Sequence, residues 1–553
     1  MIRTRSARLS AVSFSALIAS ALVAACSASG AGLPAGGAGT SASGGTQVSG
    51  GTIVYASEQE PPCLSGGWLQ EAYIARNVLD SLVTEADNGS IEPWLATSWT
   101  VSTDGLTYTF TLKPGVKFTD GTPLNAQAIV DNFNFWEKGG NSTAQVSIDP
   151  YFKKAVAIDA THVKVELNQP YLPLLTMLSQ AYFGILSPAS LKRSAQAQCA
   201  DPIGSGAFEV QKWIHGQEVI LVKNPGYTSW PATAVHKGPA IVDEVDWKFL
   251  SDSVERYAAL TTGEANAMYD IPTVNWASAQ ASYQVTQYIT PGKPVSLYLN
   301  TIHGVFTDVR LRQALAYGAD RQAAAKTAFH GVIPYEGNPS VSRATPGYDA
   351  AVAGAYPYDP AKASQLLNEA GWTGRDAAGY RTKGGKELDV KLAYPAGSVF
   401  TDEGATLLQI LQQQWKQTGF NVTLVPETQA ETFSGAYSTP TSYDAQPWYW
   451  TSPSPAILWI VWRPSTKSDP NYSNSSFYDN TQLGSVISDG NTAATTVTAD
   501  KYYAQAQQII QNEAAAVGLY DQTMSIAAAK NLHDLWLEKS QGEPVFEDAY
   551  FTK

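Results

Sequence analysis

Side chains that titrate, attack or ligate are scattered along this chain. The six histidines stand at 162, 215, 236, 303, 330 and 533, and no two share the i, i+3 or i+4 spacing that places two ligands on one helix face. There is no His-Glu-x-x-His run and no Gly-x-Ser-x-Gly elbow, and the Gly-Lys pairs at 292–293 and 385–386 are not followed by Ser or Thr. No two carboxylates pair by sequence into a general acid and base. The expectation is therefore a protein that is not an enzyme, with no metal site and no cofactor. Aromatic surface is concentrated instead. Ser442 to Pro464 holds Trp448, Trp450, Trp459 and Trp462, with Tyr449 between the first two and no acid between Asp444 and Pro464. Aromatic faces suit stacking on sugar rings or apolar ligand surface, so Trp448, Tyr449 and Trp450 are candidate ligand contacts. Trp459 and Trp462, at i, i+3 beside Ile457 and Leu458, read as helix core, and Tyr443-Asp444 as the end of a strand.

The start of the chain bears on location. Arg3, Arg5 and Arg8 precede a mostly apolar run from Leu9 to Ala25, and Val23-Ala24-Ala25 stands immediately before Cys26. This is a secretory signal pattern over 1–25, and it resembles the bacterial lipobox, in which the cysteine becomes the lipid-modified first residue. The run is too short and too rich in serine to be a good spanning helix. Several acyl chains on Cys26 would hold the protein firmly to a membrane, one chain alone being marginal. Residues 26–51 carry no charge and are mostly Gly, Ser, Ala and Thr. Such a segment buries too little to fold and is expected to act as a tether with a reach of roughly 25–30 Å. The net charge of −13 and the lack of a basic patch argue against nucleic acid as a partner. Cys63 and Cys199 form an even pair in an exported protein. One disulfide is expected, worth up to roughly 5 kcal/mol of chain entropy, with two buried thiols as the alternative.

Positioning these residues takes more than one hydrophobic core, since about 500 residues exceed what one core supports. The periodicity alternates between strand and helix, which predicts a mixed α/β protein. Thr52 to Ala56 reads as a first strand. Asp104-Gly105 joins two strands as a hairpin, with Leu106, Tyr108, Phe110 and Leu112 on one face, and Asp120-Gly121-Thr122-Pro123 ends a further short strand. Asn125 caps a helix carrying Ile129, Phe133 and Trp136 on one stripe. Strands are expected at 163–167, 219–222 and 242–249. Asp308 caps a helix over 309–317, and Pro360 to Ala370 is a helix stopped by Gly371. The run from Leu407 to Thr418, Gly419 and Asn421 to Val425 is a helix–glycine–strand unit.

In this order the segments resemble the extracytoplasmic solute-binding proteins of peptide and nickel ABC importers. Glu92 to Ala126 ("EPWLATSWTVSTDGLTYTFTLKPGVKFTDGTPLNA") is similar to the most diagnostic stretch of that family. "DPIGSGAFEVQKW" (Asp201 to Trp213) resembles its Pro-x-Gly-Thr-Gly-Pro-Tyr motif, with Ser205 for Thr and Ala207 for Pro. "LYLNTIHGVFTDVRLRQALAYGADR" (Leu297 to Arg321) and "YDPAKASQLLNEAGW" (Tyr358 to Trp372) match two further segments. The resemblance spans nearly all of 52–553. It implies a two-lobed, type II periplasmic-binding-protein fold enclosing a ligand between its lobes. Lobe I would take 52–295 with an inserted subdomain at about 92–200, lobe II 296–505, and a return to lobe I 506–553. Gly204 and Gly206 would allow positive φ or a close backbone approach near the crossover between lobes, and Arg312 and Gln313 would tie helix to neighbour. The implied role is a monomeric, membrane-anchored capture protein that delivers a di- or oligopeptide or peptide-like solute to permease subunits. Closure around the ligand would signal loading.

The family's peptide binders carry a small-Gly-Trp-x-x-Asp loop whose aspartate pairs with the peptide ammonium. Aligned on that loop, Tyr449-Trp450 takes the Gly-Trp place and Pro453 stands where the acid belongs, with only the hydroxyls of Thr451, Ser452 and Ser454 nearby. A buried ammonium needs a charge partner. Either Glu58 or Glu60 supplies it, or the cargo is an oligosaccharide, a modified peptide or a nickel or other metal chelate. Thr451, Ser452, Tyr298 and Asn300 complete the candidate ligand-binding set.

Overall fold

In the computed structural model the described residues are 45–553, excepting 66–73, 140–141, 150, 398–399, 466–470, 539–541 and 543. The expected signal segment, Cys26 and most of the tether lie outside them. Three principal sheets organise the chain. The largest has seven strands in the order Gln284–Ile289, Thr523–Ala528, Ala267–Tyr269, Thr52–Ser57, Glu244–Phe249, Glu218–Lys223, Phe208–Ile214. Thr52–Ser57 runs parallel to both of its neighbours, and its Tyr55 packs edge-on against Trp247 at 4.8 Å.

The stretch from 96 to 167 makes a four-stranded antiparallel sheet, ordered Ala96–Val101, Thr107–Leu112, His162–Leu167, Phe152–Ala157. Its hairpin turns at Gly105, where φ is 70°. The helix Ala126–Glu137 lies behind it, begun by the Asn125 side chain accepting from the Ala128 amide. Ile129, Phe133 and Trp136 are buried as the spacing predicts, and this subdomain shares one continuous core with the seven-stranded sheet. The short strand expected before Asp120-Gly121 is reduced to a single bridge between Lys117 and Pro123, because the turn follows too closely to leave room for a ladder.

The third sheet has five strands in the order Asn421–Glu427, Asp389–Pro395, Ala445–Thr451, Gly292–Leu299, Ala516–Tyr520. Helices Val309–Tyr317, Pro360–Glu369 and Asp402–Thr418 contribute Leu311, Leu315, Leu367, Leu408 and Trp415 to the core on one side of it. Gly371 and Gly419, with φ of 87° and 110°, end two of those helices in the left-handed conformation that lacks a Cβ penalty. Arg312 donates to the Glu513 carbonyl and Gln313 to that of Asn512, the structural tie expected of them.

The seven- and five-stranded sheets are joined by two chain crossings. The first runs from Ile289 to Gly292 and the second from Tyr520 to Thr523, and the Thr290 amide donates to the Gln522 carbonyl at 2.8 Å. The chain thus enters the second sheet at 292 rather than 296. It returns after 520 rather than at 506, which falls inside the helix Thr496–Asn512. Beside the second crossing, Arg343 donates to Asp521 and lies 3.3 Å from Glu336, which also accepts from the Tyr348 hydroxyl at 2.9 Å. Away from the crossings the two bodies touch through Thr273 and Glu403, and through Asn491, which donates to the Tyr151 hydroxyl at 2.8 Å.

Gly204 and Gly206 are not at the crossings and have no positive φ. They press on Val78 inside the first body, where a Cβ on Gly206 would stand 2.5 Å from the Val78 carbonyl group. Gly206→Ala is expected to lower stability by about 1–3 kcal/mol through overpacking in urea unfolding, with Gly354→Ala, which meets nothing within 4 Å, near neutral.

Burial and the Asp521 carboxylate push Glu336 from 4.5 up to about 7. A carboxyl raised in the folded state takes up a proton on folding, so its contribution is fully present below about pH 4.5 and is lost as the pH rises towards 7. Glu336→Gln should flatten that part of the pH–stability curve. Parallel slopes for the two proteins in urea titrations would refute the assignment.

Candidate ligand-binding site

Ala445–Thr451 is the central strand of the five-stranded sheet, antiparallel to Gly292–Leu299 on one side and parallel to Asp389–Pro395 on the other. Alternation sends Trp448 and Trp450 to one face, where they pack with Tyr298 and the helix Ile457–Trp462, and Tyr449 to the other. All three aromatics are only half-buried, unlike the rest of the strand. Tyr443 and Asp444 precede this strand instead of ending one, and Asp444 fastens it to its neighbour by accepting from the Lys391 amide at 2.8 Å. Trp462 is buried, its ring 5.5 Å from Tyr298, and Trp459 packs on the same cluster with part of its surface exposed.

Trp448, Tyr449 and Trp450 line a cavity of about 450 Å³ together with Tyr298, Tyr437, Tyr443, Tyr472 and Phe477. Its floor is the strand, and its walls come from 427–443, Ser465 and 471–477. Asn300 builds this cavity without lining it. Its side chain is fully buried, donates to the Pro440 and Tyr443 carbonyls and accepts from the amides of Ile302 and His303, so all its polar capacity goes into holding the wall. Thr451 and Ser452 are buried behind the strand end. The Ser452 hydroxyl donates to the Ser454 carbonyl and its amide to the Pro291 carbonyl at 3.0 Å, so neither hydroxyl stands among the cavity-lining groups.

Glu58 and Glu60 do not open on this cavity. They border a separate space of about 780 Å³ between the two bodies, with Trp213 and His215 on one side and Ala396 and Gly397 on the other. Both carboxylate oxygens of Glu60 are engaged, one by His215 Nδ1 at 2.8 Å and one by the Gly216 amide at 2.9 Å. The expectation that either acid serves the tryptophan wall therefore finds no contact in this arrangement.

Two charged residues that the aromatic pattern did not point to stand against the wall. Lys293 is 2 % exposed, donates to the Trp448 carbonyl at 2.9 Å and lies 4.1 Å above the Tyr298 ring. Burial holds its ammonium well below the usual lysine range. A register shift between Lys293 and Ser296, at Pro294, turns this side chain inward. Glu427, the last residue of Asn421–Glu427, is 1 % exposed and lines the cavity. Its oxygens accept from Gln446 Nε2 at 2.7 Å and the Thr432 hydroxyl at 3.2 Å, and burial raises its carboxyl above the usual range. The sequence signal for it was the Thr428–Glu431 capping box directly after a strand, which puts Glu427 at a strand's exit where a helix begins. Among the described residues no group of His, Cys, Asp and Glu is arranged to hold a metal.

Comparison with known proteins places this geometry. The profile of the bacterial extracellular solute-binding proteins, family 5 Middle, matches residues 90–484. The glutathione-binding protein GsiB of Escherichia coli O1:K1 / APEC is 28% identical over 464 residues, covering 82% of this chain and 85% of that protein. NikA from Brucella suis, solved with Fe(III)-EDTA, superposes with a TM-score of 0.79 at 20% identity over 91% of this chain and all of its own. DppA from Helicobacter pylori, solved with the peptide STSA, gives 0.78 at 22% identity over 91% of this chain and 99% of its own. The two-lobed type II architecture expected from the sequence is the architecture of these neighbours. An aromatic cavity built on the central strand of one lobe, in a chain whose profile match spans both sheets, makes this protein a member of the family 5 bacterial extracellular solute-binding proteins.

Proposed function

We propose that this protein is the capture component of an ABC importer, closing its lobes on a small peptide or peptide-like solute and presenting it to permease subunits. The observation that carries the reading is the cavity of about 450 Å³, open on one side and walled by Trp448, Tyr449, Trp450 and Tyr298. Its size fits a small solute, and two chain crossings leave the lobes free to rotate about it. The relatives are a glutathione-binding protein and proteins solved with a peptide and with a metal chelate, all small solutes. Pro453 in place of an acid favours a modified peptide, sugar or chelate over a plain free-amine peptide if the cation partner is sought in that loop. The reading includes no reaction.

Anchoring through lipid on Cys26, a monomeric state and an oxidised Cys63–Cys199 pair belong to the same proposal. Support for the last is local: the two Cα atoms are 4.7 Å apart, within the span of a disulfide, and the Leu64 amide donates to the Cys199 carbonyl.

Native mass spectrometry of the purified protein should show a bound small molecule, released unchanged on unfolding. Its conversion to a new mass during incubation would overturn the non-catalytic reading. Trp450→Ala should weaken its binding by about two- to tenfold, the loss expected for one stacked aromatic, and ligand should quench or shift tryptophan fluorescence in the wild type. Equal affinity in the variant would remove the strand from the site.

A further inference from the structure

Among the described residues that line the aromatic cavity, Glu427 is the only acid or base with a charged form at neutral pH. Among the described residues it has no Lys or Arg within ion-pair distance. Lys391, a cation that acts on it weakly, sits over the Tyr437 ring at 5.1 Å. A carboxylate offers about four acceptor positions. Gln446 and Thr432 occupy one on each oxygen, which leaves acceptor capacity on a group 1 % exposed to solvent. A buried carboxylate without a counter-ion is costly unless a cation joins it. Tyr443, Trp448 and Trp450 line the same cavity, and aromatic faces attract a cation through their quadrupoles.

We infer that this cavity takes a positively charged nitrogen of the solute, with Glu427 as its counter-ion and the surrounding rings as its cage. The inference rests on the solute-binding reading and names the ligand class within it: an ammonium, quaternary ammonium or guanidinium group. It relocates the acid absent at Pro453 to the exit of a neighbouring strand. The Thr432 and Gln446 donors fix the carboxylate's orientation, and the capped helix Gln429–Ser434 fixes Thr432.

The test is a fluorescence titration of the purified protein with matched pairs: short peptides with a free, an N-acetylated or an N-trimethylated terminus, and alkylammonium and alkylguanidinium compounds with uncharged isosteres. Cationic members should bind at least tenfold more tightly than their neutral partners. Glu427→Gln, which keeps the shape and removes the charge, should bring that ratio close to one without lowering the melting temperature. Equal binding of neutral and cationic members by the wild type, or discrimination that survives in Glu427→Gln, overturns the inference and leaves the solute-binding reading standing. No response to any member likewise overturns the inference, and the mass of the co-purified solute then decides the solute-binding reading. The wild-type comparison decides the matter even if the variant fails to fold.

Discussion

The constraint on which the rest of the molecule depends is that two large sheets are connected by only two short crossings. Each is a few residues long, and they are held side by side by the bond from the Thr290 amide to the Gln522 carbonyl. A connection this narrow cannot transmit much through packing, so each sheet must carry its own core, and the apolar clusters divide accordingly except at Ala456 and Val146, each of which packs on the other body's cluster. The buried carboxylates of Glu336 and Asp521 share one guanidinium, that of Arg343, beside the second crossing. That arrangement replaces the missing apolar area with a polar lock whose strength depends on who holds the proton.

The same separation explains why the site is built from one body's strand and two loops. Trp448 and Trp450 are presented by a central strand paired on both sides, which fixes their positions more tightly than a loop would. One loop that completes the wall is in turn pinned by Asn300, which ties Pro440 and Tyr443 to the strand end with two hydrogen bonds and accepts two more from Ile302 and His303. A residue resembling a ligand contact in sequence is thereby spent on precision.

Much of the fold was legible because its signals are local. Asn125 before Ala126–Glu137, Asp308 before Val309–Tyr317, and Gly371 and Gly419 after their helices each act within a few residues, and each stands where its chemistry requires. The aromatic half of the site was legible for a similar reason, since three adjacent large rings on a strand cannot all be buried on one face. What escaped the sequence was everything set by long-range register. Lys293 reaches the wall through a bulge, Glu427 through the order of strands in a sheet, and Glu58 and Glu60 turn to the opposite body's face. Of the two roles open to Gly204 and Gly206, positive φ or close approach near the crossover, the structure shows close approach, and to Val78 inside the first body, a partner that only tertiary structure supplies.

The Ser452 amide, one residue past the aromatic strand, donates to the carbonyl of Pro291, which lies in the first crossing. Gly292 pairs with Thr451 in the next register step, so closely that a Cβ there would stand 2.1 Å from the Trp450 carbonyl oxygen. The pivot and the stacking surface are therefore one stiff piece. A turn at the pivot arrives at the tryptophans undamped, and a solute pressing on the tryptophans bears on the pivot as a crank bears on its axle.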